Sequence, residues 1–305
     1  MWGSLPDFEK MPNLFIIGAA KAGTTALYDY LAQHPQVFLS RVKEPMFFSR
    51  EENYVRGLEW YESEYFKGAE GYPVRAEATP HYLYWSEKVA PRIKEVYGER
   101  PVKFVVSFRD PVERAYSWYW NMVREGREDL DFEEALRTEE HRLEQHRVEL
   151  YQLGSMVYGY SAGSRYASLL HPYLKLFSRE CFHFVFQGDL QSRVNLTCEE
   201  LFEFLGIDSS TQINTSNSNP AAMPRSRLLH KTLRQRSLFK EFVKPFIPMR
   251  VRRDLKSRMM RLNLKETPYV PLDPKLAHEL RLRYKTEIER LEKITGRNLS
   301  SWKPE

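Results

Sequence analysis

Two glycines, a lysine and a pair of threonines give the clearest chemical signal in this 305-residue chain. They lie in "FIIGAAKAGTTALY", Phe15 to Tyr28, where an apolar run turns at Gly18, passes Lys21 and Ala22, and leaves Gly23 into a helix that opens with Thr24 and Thr25. Backbone N–H groups and hydroxyls that converge on a positive helix end form a cradle for an anion, and a phosphate suits it. Gly18, Gly23 and Thr25 keep the spacing of the nucleotide phosphate loop G-x-x-x-x-G-K-[ST], but Thr24 occupies the lysine position and the lysine has moved into the turn as Lys21. A γ-phosphate and its magnesium need the standard lysine, so phosphate binding is expected without ATP or GTP hydrolysis.

Three further segments carry groups suited to chemistry. In "FVVSFRDPVERAYSWYW", Phe104 to Trp120, Arg109 leaves an apolar run at its carboxyl edge, and Ser117 follows about two turns into the next helix, on the face that looks back at the loop. A guanidinium there offers a bidentate grip on a phosphate; its plainer use is an ion pair with Asp110 or Glu113. "KEPMFFS", Lys43 to Ser49, places Glu44 beside Lys43, with which it could simply pair at the surface, as it could with Arg41. "EATPHYLY", Glu77 to Tyr84, contains His81, whose neutral imidazole suits proton transfer near neutral pH but which more often contacts substrate or packs.

Together these segments resemble the sulfotransferases that use 3′-phosphoadenosine 5′-phosphosulfate (PAPS), in their heparan-sulfate-type and bacterial branch. "GAAKAGTT" is similar to that family's 5′-phosphosulfate loop, which implies that Lys21, Ala22, Gly23, Thr24 and Thr25 hold the donor's 5′-phosphate, with Lys21 beside the bridging oxygen. The resemblance likewise implies that Arg109 and Ser117 bind the 3′-phosphate, and two phosphate sites at neighbouring strand ends would distinguish PAPS from ATP. "KEPMFFS" resembles the family's Lys-Glu-x-x-Phe-Phe element, which makes Glu44 the general base, with Met46 where a histidine is common. "EATPHYLY" resembles the segment that lines the acceptor cleft, so Glu77, Thr79, His81 and Tyr82 join Glu44 and Met46 as substrate contacts, His81 being the rival base. "MPRSRLL" falls where relatives carry a basic loop over the nucleotide, which adds Arg225. The implied reaction is in-line sulfuryl transfer, with PAPS as donor, PAP as product and no metal. The acceptor hydroxyl or amine would sit on a glycan or small hydroxylated molecule, with a hydroxyacyl group on a carrier protein or a small lipid as the alternative. A P-loop kinase and a non-catalytic nucleotide-binding module are the competing classes.

Short apolar or β-branched runs alternate with helical stretches, the pattern of βαβ units around a parallel sheet. Strands are expected at Asn13 to Ile17, Val37 to Leu39, Val74 to Ala76, Lys103 to Phe108 and Cys181 to Phe186, and helices at Thr25 to Gln33, from Pro111, at Cys198 to Leu205 and at Asp273 to Thr295. Asp110-Pro111-Val112-Glu113 reads as a cap, a first-turn proline and a capping-box acid. The aromatics that follow, Tyr116 to Trp120, read as core. The expected fold is a P-loop-like three-layer α/β single domain, core about 13–300, with a charged helical excursion over about 129–160, either a lid or a plain surface helix, and a basic helical segment over about 228–265.

Hydrophobic residues at 42% and charged residues at 29% exclude a disordered or fibrous chain. No apolar stretch reads as a membrane span or signal peptide, and two cysteines outside any CxxC or Cys/His pattern favour a reducing, cytoplasmic setting without structural zinc. Between His230 and Arg261, eleven lysines and arginines face two acids, an excess larger than the chain's net charge of +5. That run is either a solvated face or a surface for an acidic glycan, a carrier protein or a membrane; no nucleic-acid partner is expected.

Overall fold

The apolar runs beginning at Leu14 and Lys103 become the two inner strands that carry the site. A computed structural model describes residues 7–215, 223–224, 264–265 and 270–304. Arg225 and nearly all of the basic segment lie outside the described residues. Five parallel strands, β1 (Leu14–Gly18), β2 (Val37–Leu39), β3 (Val74–Ala78), β4 (Lys103–Phe108) and β5 (Phe182–Phe186), pair in the order β2-β3-β1-β4-β5. Every residue of β1 is buried. Phe15, Ile17, Phe104, Val106 and Phe108 enter one core while Leu14, Ile16, Val105 and Val185 enter the other. A strand covered on both faces has no polar side to alternate, which is why these segments read as continuous apolar runs.

The helices that matter to the site are α1 (Thr24–Leu31), α2 (Ser86–Tyr97), α3 (Pro111–Arg124), α4 (Tyr166–Leu176), α5 (Val194–Leu205) and α6 (Pro274–Thr295). Leu27 and Leu31 of α1 pack with Leu201, Phe202 and Leu205 of α5 on one face of the sheet. Ile93 of α2, Leu170 of α4 and Tyr284 of α6 pack on the other, which completes three layers. The chain leaves β1 for β2 and β3 on one side and then crosses to β4 and β5 on the other. The carboxyl ends of β1 and β4 therefore border the crevice where α/β sheets bind ligands.

Asp110 caps α3 as expected, its carboxylate accepting the N–H groups of Val112 at 2.9 Å and Glu113 at 3.2 Å, and Pro111 opens the helix. Arg281 of α6 meets the same carboxylate at 2.8 Å, so α6 braces the start of α3. The excursion is three short helices, Phe132–Arg137, Glu139–Gln145 and Arg147–Leu153. Two carboxylates hold it. Glu128 accepts from Arg142 at 2.7 Å and the Tyr160 hydroxyl at 2.5 Å, while Glu139 accepts the N–H groups of Ser161 at 2.8 Å and Ala162 at 2.7 Å. Among the described residues no helix is long and apolar enough to cross a membrane.

Candidate active site

The turn after β1 is shaped by β4 as much as by its own residues. The Ala19 N–H donates to the Ser107 carbonyl at 2.7 Å and the Ser107 hydroxyl donates to the Ala22 carbonyl at 2.5 Å. A Cβ on Gly18 would lie 2.6 Å from Cβ of Leu83. Gly23 has φ 95°, and its Cβ would meet Leu190 at 2.9 Å, so a side chain fits at neither position. Thr24 and Thr25 then open α1, whose first amides have no partner inside the helix and point their positive ends at the loop. One expectation is corrected: the Ala22 N–H donates to the Ala19 carbonyl at 3.1 Å, so the turn itself consumes it. That leaves the amides after Ala22 as the ones available to an anion.

Lys21, Gly23, Thr24 and Thr25 line one cleft of about 1000 Å³ with Arg109 and Ser117. Burial, then the positive charges of Arg124 and Arg109, lower the Lys21 ammonium to about 8, so it still carries its proton at pH 7. Arg109 lies at the end of β4 and also makes the ion pair weighed from sequence: its Nε meets the Glu113 carboxylate at 3.1 Å. Glu113 thus serves Arg109, and the expected capping-box contact is replaced by this one. Ser117 is 4% exposed, and the same face of α3 continues through Asn121 and Arg124, both on the cleft wall and joined by a bond of 2.5 Å from the Arg124 guanidinium to the Asn121 side-chain carbonyl. Sequence reading named neither. Their spacing from Ser117, four and seven residues along a helix, was the available signal.

Glu44 and His81 line the same cleft. Glu44 has φ 61°, and its N–H donates to the Ala78 carbonyl at the end of β3, 3.2 Å away. Lys21, Glu44 and Met46 are the non-glycine residues of left-handed φ among the described residues. Such a conformation costs about 1–3 kcal/mol per residue, and such residues cluster at functional sites. Glu44 keeps exposed surface, yet burial at the wall raises its carboxyl pKa, with Glu125 adding to the rise and Lys43 and Lys21 opposing it. His81 moves the other way. Burial lowers its imidazole to about 4, Nδ1 is enclosed without a hydrogen-bond partner, and Trp118 meets the ring edge-on at 5.9 Å.

Glu77, Thr79 and Tyr82 were expected to contact the acceptor; all three are fully buried and absent from the cleft wall. Met46 is half-buried and also off the wall. The reason lies in β3, where Glu77 pairs in register with Phe15 and so shares its core face. There burial pushes the Glu77 carboxyl up to about 8, with the Tyr82 and Tyr61 hydroxyls pulling it back, and it is protonated at neutral pH. The Tyr82 hydroxyl accepts the Phe48 N–H at 3.1 Å, and the Thr79 hydroxyl accepts the Met46 N–H at 3.4 Å. These residues hold the Lys43–Ser49 loop from behind.

A family profile described as "Sulfotransferase domain" matches residues 11–264. Among curated proteins, heparan sulfate glucosamine 3-O-sulfotransferase 5 of Mus musculus is 32% identical over 183 residues, covering 59% of this chain and 49% of that protein. Carbohydrate sulfotransferase 15 of Mus musculus is 26% identical, covering 73% of this chain and 50% of that protein. The chain thus spans about half the length of these two relatives. A sulfotransferase crystal structure from Alicyclobacillus acidocaldarius superposes with a TM-score of 0.69 at 26% identity, covering 96% of this chain and 98% of that one. The fold and these matches agree: the chain belongs to the sulfotransferase-domain family.

Proposed function

We propose that this protein transfers a sulfuryl group from PAPS to an acceptor hydroxyl or amine, with a carbohydrate as the first acceptor class. The observation that carries the reading is the single cleft that brings Lys21, Thr24 and Thr25 together with Arg109, Ser117 and Glu44. The loop fits a phosphate physically, since its glycines admit close backbone approach and its helix end presents amides and hydroxyls. With Thr24 in place of the usual lysine, the loop lacks the group that grips a γ-phosphate. Arg109 and Ser117 supply a second anion position, as a donor phosphorylated at both ends of its ribose requires. The relatives named for heparan sulfate and carbohydrate support the glycan acceptor.

In this reading the acceptor oxygen attacks sulfur as the bond from sulfur to the bridging oxygen of the donor breaks. Glu44 takes the acceptor's proton, and Lys21 meets the negative charge that grows on the leaving oxygen. Glu44 is a better base than His81 here because its pKa moves toward the working pH while that of His81 falls to about 4. Positioning and charge stabilisation do the remaining work, without a covalent enzyme intermediate. The test is a transfer assay with sulfur-labelled PAPS and purified protein against glycan, hydroxyacyl-carrier-protein and small-lipid acceptors, beside PAP and ATP titrations. Labelled glycan with saturable PAP binding supports the reading. ATP binding with phosphoryl transfer, or PAP binding without turnover on any acceptor, would replace it with a kinase or a binding module.

A further inference from the structure

The lysine that precedes Glu44 does not pair with it at the surface. The Lys43 Nζ donates to Oγ1 of Thr25, 2.6 Å away, on the first turn of α1. Tyr28, one turn along the same face, lies beside the ammonium with its ring centroid 5.7 Å from Nζ, and its own hydroxyl is fixed to the Ser40 carbonyl at 3.1 Å. On the far side of Lys43, the Glu44 N–H is tied to the Ala78 carbonyl at 3.2 Å. Two consecutive residues thus clamp one loop to both the phosphate-loop helix and the end of β3, and the φ of 61° at Glu44 is held between these anchors.

We propose that Lys43 is a positioning residue that joins the donor cradle to the base, adding a second positive charge next to the 5′-phosphate and setting the carboxylate of Glu44 through the Thr25 hydroxyl. The proposal rests on the PAPS-transfer reading and deepens it. The chemistry is consistent at each atom. A hydroxyl that accepts from an ammonium keeps its own hydrogen free, so Thr25 can hold Lys43 and still donate to a phosphate oxygen. Lys21 alone would stabilise charge on the sulfur side of that phosphate; Lys43 approaches from the Thr25 side. The bridge also means that a phosphate settling on Thr25 presses on the loop that carries the base.

The groups around Glu44 are Lys43 on its own loop, Lys21 from the phosphate loop and Glu125 beyond the end of α3. Around Lys43 are Glu44 and, from α1, Asp29. Removing the Lys43 charge takes away the largest influence that lowers the Glu44 pKa, so the acid limb of the pH profile should move to higher pH.

The experiment is a double-mutant cycle on the full chain with Lys43→Met, Lys43→Arg and Thr25→Val, read by PAP affinity and by the pH dependence of kcat/KM with labelled PAPS. Lys43→Met should weaken PAP binding roughly 10- to 100-fold, the worth of a charge-assisted hydrogen bond. In the Thr25→Val background the same change should cost only a small factor, because the bridge is already gone. Lys43→Arg should restore both the affinity and the acid limb. An equal cost in both backgrounds, no cost in the wild type, or an acid limb that stays in place with Lys43→Met overturns the proposal. Should Lys43→Met fold poorly by its thermal midpoint, Lys43→Gln supplies the same comparison. A wild-type protein that binds no PAP sinks the PAPS reading itself, a result distinct from a wild type that binds PAP while Lys43 variants match it.

Discussion

The residues proposed for the donor and those proposed for the acceptor were placed by different rules. Of the first set, Lys21, Thr24, Thr25, Arg109 and Ser117 all reach the cleft. Of the second, Glu44 and His81 reach it, whereas Glu77, Thr79 and Tyr82 lie in the core. Donor-side residues sit in the turn after β1, at the end of β4 and within the first two turns of the helices that follow, where sheet hydrogen bonds and helix geometry decide which way a side chain points. Acceptor-side residues are spread over the loop after β2, the end of β3 and the short helix His81–Tyr84, and the path of that loop is set by bonds to residues distant in sequence, such as Phe48 N–H to Tyr82 and Arg92 to the Phe48 carbonyl at 3.0 Å. The first kind of position is local and readable; the second is a tertiary outcome.

Substitutions in the two sets can break or sharpen this contrast. The largest effect is expected at Glu44→Gln, which should slow turnover by about 10²- to 10⁴-fold and leave PAP affinity unchanged, as single-turnover and binding measurements together would show. Lys21→Ala should cost about 10²- to 10³-fold in turnover at saturating PAPS. Arg109→Ala comes next, weakening PAP by roughly 10- to 100-fold while hardly altering affinity for a nucleotide that lacks the 3′-phosphate. If that mutant lost affinity equally for both nucleotides, the guanidinium would belong to Glu113 and not to a 3′-phosphate.

Glu77→Gln should have the smallest effect on turnover and a distinct effect on stability. The carboxyl is raised to about 8 in the folded protein, against about 4.3 for a solvated glutamate, so the folded state holds the proton more tightly. Wild-type stability from this group therefore falls as pH rises from about 4 toward 8 and levels off above, by an amount on the order of a few kcal/mol. The glutamine variant removes that slope, so its advantage in thermal midpoint should be greatest at pH 8 and vanish near pH 4. A variant whose midpoint tracks wild type across that range would mean that Glu77 is not a buried neutral acid.

The differences between expectation and structure follow the same division. Lys103 to Phe108 and Val37 to Leu39 were read to the residue because an apolar run of strand length, stopped by turn residues, has one use in a covered sheet. α5 begins at Val194, four residues before the expected Cys198, because its first turn is packed by Val194 and Thr197 and carries little periodic signal. Asn121 and Arg124 followed from helix spacing once Ser117 was placed, so they were legible and overlooked. Lys43 was not. Nothing in "KEPMFFS" shows that its ammonium would meet Thr25, eighteen residues earlier in the chain.

By itself, the sequence determined the strand-turn-helix at Gly18 to Thr25, the place of Arg109 and Ser117 after β4, and the three-layer α/β frame. These depend on short-range constraints: glycine where no Cβ fits, an apolar period that matches a sheet, a proline and a capping acid where a helix begins. Only the tertiary structure decided which residues of the Lys43–Ser49 and Glu77–Tyr84 segments face the cleft, that Glu77 is a neutral acid in the core, and that Lys43 reaches Thr25 at the start of α1. Those outcomes depend on which distant surfaces meet, and burial, partners and proton affinity are properties of that meeting and not of the residue.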